Sequence, residues 1–299
     1  MSVRKTLRYI WNHPIGRKNR VQSTVDYFRW QIGSRLVAGP VVAPFVEGTS
    51  LVVKPGMAGA TGNVYVGLHE FPEMAFLLHY LSEDDRFADI GANIGSFSVL
   101  ASGVTQAKTI AFEPVPSTFA WMQKNVAING LADLLDARNV GVGAENGRLS
   151  FTASEDSENH VATPADTGET VEVDVVTLDS VCLGPDGFGV PKLLKIDVEG
   201  FEGGVLTGAT SVLDDPSCQA IIIEFNGMGS AHDYDEQALF DGLVGRGFEP
   251  VNYAPFERVL TTRDVRWPAP GNVLLVRDRS AAAATVASSR AYRVKRALI

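Results

Sequence analysis

The segment Phe87-Ala-Asp-Ile-Gly-Ala-Asn-Ile-Gly-Ser96 limits the architecture of this chain more than any other. An apolar run ends at Asp89, glycines follow at 91 and 95, and a helical pattern starts at Ser96. This is the strand–turn–helix unit of open α/β sheets. Glycine serves there where the backbone turns sharply and approaches a ligand with no Cβ in the way. The helix N-terminus beyond the turn offers unpaired N–H groups to a polar or anionic ligand. The turn departs from the dinucleotide fingerprint G-x-G-x-x-G. Asn93 stands where the second glycine would let the backbone approach a pyrophosphate. A ligand without a diphosphate is expected.

The rest of the pattern supports such a sheet. Strands are predicted over 86–90, 108–112 and 135–140, with helices over 96–103 and 118–129 between them. A hairpin follows at 149–153 and 171–176 around the polar loop 154–168. The runs 193–196 and 220–224 are continuously apolar, as parallel strands buried on both faces should be. Helices over 202–209 and 235–245 separate and follow them, and the last strands fall near 248–252 and 272–276. This alternation implies an α/β, doubly wound parallel sheet. It divides the chain into a basic helical N-terminal extension (1–62), a core domain (63–278) and a basic Ala-rich tail (279–299).

Within the extension, Val21, Val25, Phe28, Ile32 and Leu36 recur at a helical period. The stripe reads as a helix packed on the body, with a membrane-surface or dimerisation helix as the alternative. Strands are predicted at 50–54 and 63–68 and a helix at 73–81. The tail reads as a frayed helix or disordered chain.

Charge is unevenly spread over the 299 residues. The formal net charge is −9, yet residues 1–35 carry about +7 and residues 277–299 about +5, which leaves about −21 for residues 36–276. An acidic body lacks the Lys/Arg that meet phosphates, so a nucleic-acid partner is not expected. No stretch approaches the roughly 18 apolar residues of a membrane span, and no secretory leader is evident. Cys182 and Cys218 are too few for a disulfide scaffold, and a cytoplasmic setting fits.

Candidate chemistry gathers at strand ends. Glu113 closes the strand after the glycine turn, about 20 residues past it, where an acid can accept from both ribose hydroxyls of a nucleoside. Asp197 and Glu199 follow the run 193–196, and Glu224 and Asn226 end the next strand. Lys195 lies inside its run and needs a buried partner. Glu202 reads as a helix-capping charge. Loop histidines 160 and 232 are more often solvated than catalytic. His69 and Glu70 either contact a ligand or pack.

In this order the motifs resemble the FkbM-type family of S-adenosylmethionine-dependent methyltransferases. The resemblance spans about 63–226. It includes Tyr65-Val-Gly-Leu-His-Glu-Phe-Pro-Glu-Met-Ala-Phe-Leu-Leu-His79, the glycine turn, Phe112-Glu-Pro with Asn125, Thr177-Leu-Asp179 and the segment 195–202. It implies a seven-stranded, Rossmann-like methyltransferase sheet that ends in one antiparallel strand. It implies that Asp89, Gly91, Asn93 and Gly95 surround the amino-acid part of S-adenosylmethionine, that Glu113 holds the ribose, and that Asn139 neighbours the adenine.

The implied reaction is methyl transfer to a hydroxyl of a sugar, glycolipid or glycosylated natural product. A hydroxyl needs a base or a metal. Asp197 is the first choice, with Glu199 and His160 as further catalytic candidates. In a second variant Asp197, Glu224 and Asn226 bind Mg²⁺. An NAD(P)-dependent oxidoreductase and a catalytically silent nucleoside-binding module remain the alternatives. The basic ends point to peripheral contact with an anionic membrane, where a lipid-linked glycan would stand, and a homodimer is left open.

Overall fold

The computed structural model describes residues 3–37, 39–153, 159–263 and 271–299. Three helices, α1 (Val3–Asn12), α2 (Pro14–Lys18) and α3 (Arg20–Leu36), lead into a hairpin of β1 (Val41–Pro44) and β2 (Ser50–Val53). Pro14 opens α2, where its missing N–H costs nothing. Side chains of His13 and Asn19 accept from Ile15 N and Gln22 N at the starts of α2 and α3.

Helices α4 (Ala58–Val66) and α5 (Phe71–Tyr80) follow. The strand predicted at 63–68 is instead the end of α4. Asn63 Oδ1 accepts from His69 N, and Gly67, at φ +90°, stops the helix. Local closure at that exit overrides the β-branched valines 64 and 66.

The alternating region opens with β3 (Arg86–Ile90) and α6 (Ser96–Leu100), which runs on as a π-helical turn over Ala101–Thr105. Next come β4 (Lys108–Phe112), α7 (Pro116–Asn129) and β5 (Leu135–Arg138). Strands β6 (Gly141–Val142), β7 (Gly147–Thr152) and β8 (Thr170–Val176) make a small sheet of their own, the predicted hairpin with one added strand. Then follow α8 (Leu178–Leu183), β9 (Leu193–Ile196), α9 (Glu202–Thr207), α10 (Thr210–Asp214), β10 (Ala220–Phe225), α11 (Glu236–Gly245), β11 (Glu249–Ala254), β12 (Val259–Thr262) and β13 (Gly271–Val276). The chain closes with α12 (Arg279–Ser288), β14 (Arg293–Val294) and β15 (Ala297–Leu298).

The main sheet has the order β12-β11-β13-β10-β9-β3-β4-β5. It has eight strands rather than the seven expected. β13, the last strand of this sheet in the chain, is antiparallel as expected and lies between β10 and β11, and β12 adds a further antiparallel strand at the edge. The chain order reverses between β3 and β9, which pair in parallel, so the carboxyl ends of these strands frame a crevice.

Apolar side chains fill both faces. Phe76, Leu100 and Phe87 pack on one, together with Ile10, Tyr27 and Trp30 from the N-terminal helices and Val286 and Val294 from the C-terminus. Val205, Leu213, Phe240 and Ile221 fill the other. Each large side chain so buried contributes roughly 1.5–3 kcal/mol.

Two readings of the ends need correction. The tail is neither frayed nor detached. Asp278 caps α12 by accepting from Ala281 N, and Val286, Tyr292, Val294 and Ile299 are buried on the body. Four of its five cations are engaged there: Arg279 with Glu249, Arg290 with Glu47, Arg296 with Asp26, and Lys295 with the Val64 carbonyl. A run of alanines gives too little apolar contrast to show which face is covered.

The stripe on α3 does not face the body either. Tyr27, Trp30 and Ser34 are the buried positions, whereas Val21, Val25, Phe28, Ile32 and Leu36 are 42–80% exposed. The larger aromatic face takes the core, and the aliphatic stripe is left in solvent.

Candidate active site

The glycine turn joins β3 to α6 by three residues of positive φ: Gly91 (+78°), Asn93 (+53°) and Gly95 (+83°). Gly91 is required by the protein itself. A Cβ there would stand 1.8 Å from the Asp197 carbonyl oxygen, so its absence lets the end of β9 close on the turn. Gly95 takes the left-handed conformation as the N-cap of α6. Asn93, a residue type that tolerates this region, donates its N–H to Glu113 Oε2 at 3.0 Å and accepts from Ile94 N at 2.7 Å.

Asp89 is buried. Its Oδ2 accepts from Ser98 N at 3.1 Å and Ser98 Oγ at 2.6 Å, which pins the first turn of α6, and burial raises its pKa. Glu113 is likewise buried, with Oε1 accepting from Val115 N, and burial pushes its pKa up to about 7. Asn139 donates to the Glu113 and Pro114 carbonyls, both at 2.8 Å, and so shapes the loop beyond β4. Asn125 ties the turn to the N-terminal hairpin, donating to Ile94 O and accepting from Val52 N.

A cleft runs along these strand ends in two halves. The first encloses about 650 Å³ of empty space up to its mouth, among Glu113, Phe112, Val140, Phe151 and Phe201. The second encloses about 960 Å³, among Met57, Asn63, His69, Glu70, Lys195 and Glu224. Gly91, Asn93, Asp197 and Glu199 line both. Asp89, Gly95 and Asn139 lie behind this lining. They hold the walls in place.

Charge concentrates where the halves meet. Lys195 is buried, with Nζ 2.8 Å from Asp197 Oδ2, the partner that its place in an apolar strand demanded. Burial works to raise the pKa of Asp197, but the Lys195 ammonium and a hydrogen bond from Glu224 outweigh it and hold the carboxyl below its usual range. Glu224 is pushed up to about 8, by burial and then by Asp197. The pair therefore shares one proton, on Glu224, near neutrality.

Glu199, at φ +52°, accepts from Asn226 Nδ2 at 2.8 Å. Glu202 accepts from Val198 N and Gly200 N, the capping role expected of it. Oxygens of Asp197, Glu199 and Glu224 lie within 4.8 Å of one another. That donor set could take a divalent cation, but Lys195 and the shared proton already balance much of its charge.

The histidines divide between the halves. His160, 3.3 Å from Asp166, stands between two residues that line the first half, Asn159 and Val161. The polar loop that carries it lies partly outside the described residues, at 154–158. His232 meets the Phe201 ring edge-on on the same side. His69 lines the second half, and burial lowers its pKa, so the ring is neutral at pH 7. Tyr9 Oη lies 2.5 Å from its Nδ1, and a Cβ on Gly62 would meet the ring at 2.5 Å. Nothing in the sequence pointed to Tyr9, which lies sixty residues upstream in the basic extension. His69 was within the motif but indistinguishable there from packing.

The Methyltransferase FkbM domain model matches residues 89–246, over half of the chain. The chain belongs to the FkbM methyltransferase family. Family membership replaces the oxidoreductase alternative. A hexuronic acid methyltransferase, AglP, of Haloferax volcanii is 30% identical over 150 residues, covering 50% of this chain and 59% of that protein. Methyltransferase 1 of Beauveria bassiana is 30% identical over 147 residues, covering 42% and 59%. The chain thus spans 59% of the length of these curated relatives. A solved FkbM methyltransferase from Methylobacillus flagellatus is 16% identical, covering 89% of this chain and 60% of that one, with a TM-score of 0.43. No helix among the described residues is long and apolar enough to cross a membrane.

Proposed function

We propose that this methyltransferase moves a methyl group from S-adenosylmethionine to the oxygen of a hydroxyl, on a sugar or glycolipid acceptor. The observation that carries the reading is the junction of the two halves. An apolar half with one buried carboxylate, Glu113, meets an acidic half at Asp197 and Glu199. The first suits a nucleoside, with Glu113 on the ribose and Val140 and Phe151 against the base. The junction suits a cationic sulfonium, and the second half suits a hydroxylated acceptor. The donor supplies an electrophilic methyl; the chain's own residues do the rest.

Methyl transfer from sulfur is an in-line displacement, so alignment and exclusion of water supply much of the rate. Asp197 is suited to aligning the acceptor hydroxyl. With Lys195 and Glu224 holding its proton affinity down, it is a weak base. His69 is the better proton acceptor, since burial keeps it neutral at pH 7. In the required tautomer Nδ1–H donates to Tyr9 Oη, whose own proton reaches the His69 carbonyl at 3.5 Å, and Nε2 receives the proton. The sugar acceptor is supported by the relative named for hexuronic acid methylation. Mg²⁺ is not needed, because Lys195 provides the local cation.

The test is incubation with methyl-labelled S-adenosylmethionine and fractionated glycans and lipids, alongside calorimetric titration of the donor. Label on a base-stable ether oxygen is expected. Label on nitrogen or carbon would sink the hydroxyl assignment. Absence of donor binding would leave the silent nucleoside-binding module as the better reading.

A further inference from the structure

We infer that α3 is a membrane-docking helix that lays its aliphatic stripe into a bilayer surface rich in anionic phospholipid. Val21, Val25, Phe28, Ile32 and Leu36 are all exposed, Val21 and Leu36 to 78% and 80%. They span four turns and occupy a sector about 80° wide on a 3.6-residue wheel. The opposite side of the same helix holds Tyr27, Trp30 and Ser34 in the core, so the stripe cannot turn inward.

Cations border it. Arg29 and Arg35 flank the stripe on either side, and Arg17, Lys18 and Arg20 lie at its start, all exposed. Trp11, 43% exposed, stands beside this start and donates its indole N–H to Thr24 Oγ1. An apolar stripe edged by arginine, with an indole at the margin, is the composition of a helix lying in the membrane interface.

Charge selects this occupant over a second copy of the chain. Residues 1–35 carry about +7, and an interface between two copies would bring two such surfaces together. Anionic headgroups meet the same surface with opposite sign. The C-terminal tail, with Arg279, Arg290 and Lys295 engaged on the body and Arg296 held by Asp26 of α3, is not counted in the docking surface. This narrows the membrane contact expected of both basic ends to one helix.

The stripe also stands beside a route to the site. A cavity between α1, α3 and α4 has exposed Val3 and Arg35 at its rim, is walled by Tyr27, Trp30 and Tyr65, and reaches His69, which also lines the acceptor half of the cleft. An acceptor held in the bilayer is thereby favoured. That last step alone rests on the proposed transfer reaction; docking does not.

Co-sedimentation of the full chain with phosphatidylcholine vesicles, and with vesicles that also contain phosphatidylglycerol, tests the inference. Binding to the anionic vesicles is expected. In the triple variant Val21→Ser, Ile32→Ser, Leu36→Ser it should fall on the order of tenfold or more. Val259→Ser, at an exposed valine on β12, should leave it unchanged. No binding by the wild type, or equal binding by the triple variant, overturns the proposal. So does a dimer in sedimentation velocity that the triple variant dissociates, since the stripe then covers a second copy. Donor affinity of the triple variant should stay within about twofold of wild type. A wild type that docks but binds no donor would refute the transfer reading alone.

Discussion

The two halves of the cleft are built on different principles. In the half proposed for the nucleoside, and in the wall behind it, the polar groups are committed to fixed partners within the protein: Glu113 to two N–H groups, Asn139 to two carbonyls, Asp89 to the N–H and hydroxyl of Ser98. The half proposed for the acceptor instead holds ionisable side chains that set one another's charge, with Asp197 and Glu224 sharing one proton beside the Lys195 ammonium and His69 kept neutral. A half made of satisfied main-chain contacts is a rigid mould. One made of opposed charges can receive and redistribute a proton. Binding strength should therefore be lost by changes in the first half, and turnover by changes in the second.

The largest effect should come where both halves depend on one atom's absence. Gly91→Ala places a methyl group against the Asp197 carbonyl at a positive φ, and should cost on the order of 3 kcal/mol or more of stability. Urea unfolding measures it; a midpoint like that of the wild type would mean that β9 does not close on the turn. Next, Asp197→Asn keeps the shape and an oxygen for Lys195 but removes the charge. Turnover should fall about 10²–10³-fold with little change in donor affinity. If donor affinity collapsed and turnover did not, the division between the halves would be misdrawn.

His69→Gln should lower turnover on the order of 10²-fold. In the wild type, activity should rise with pH along a limb below the ordinary histidine value of 6.5, because burial favours the neutral ring. That limb should vanish in the variant; its survival would return the base to another group. Glu113→Gln should act the other way round and weaken donor binding about tenfold with turnover at saturation almost intact. Addition of EDTA should leave the wild-type rate unchanged within about twofold, and a larger loss would revive the Mg²⁺ variant.

What could be read beforehand follows the same division. Strand-end motifs carry their chemistry within a few residues, so Glu113, Asp197, Glu199 and Glu224 were visible from spacing alone. So was the need of Lys195 for a partner. The doubly wound parallel sheet followed from helices that alternate with doubly buried strands, whereas β12 did not, since a short exposed edge strand lacks any apolar period. Contacts between distant segments left no trace. Tyr9 on His69, Arg296 on Asp26 and Val294 against Val46 join the chain's extremes to its interior. Periodicity on α3 was visible, but its direction was not, because a helix with apolar residues on two sides does not say which one the core will take.

The smallest expected effect bears on the opposed charges themselves. Glu224 has its pKa raised from 4.5 to about 8, so the folded protein binds this proton more tightly than the unfolded chain does. Its contribution to stability is complete below pH 4.5 and is lost as pH rises toward and through 8. Above that point a second buried negative charge stands beside Asp197. Glu224→Gln keeps the hydrogen-bonding shape without the ionisation. The variant should match the wild type in melting temperature at pH 5 and exceed it at pH 8.5 by about 2–4 °C. Glu113→Gln should show the same sign, with the difference growing above pH 4.5 and complete above about pH 7, and should couple more weakly to Asp197→Asn, since Asp197 is the least of the influences on Glu113. Glu224→Gln, by contrast, should lose part of its advantage in the Asp197→Asn background, because the burial penalty on Glu224 remains but the charge that added to it is gone. A double-mutant cycle at pH 8.5 reads this directly. Additive melting shifts for Glu224 and Asp197 would mean that the two carboxyls do not share a proton, and the acceptor half would then be as inert a mould as its neighbour.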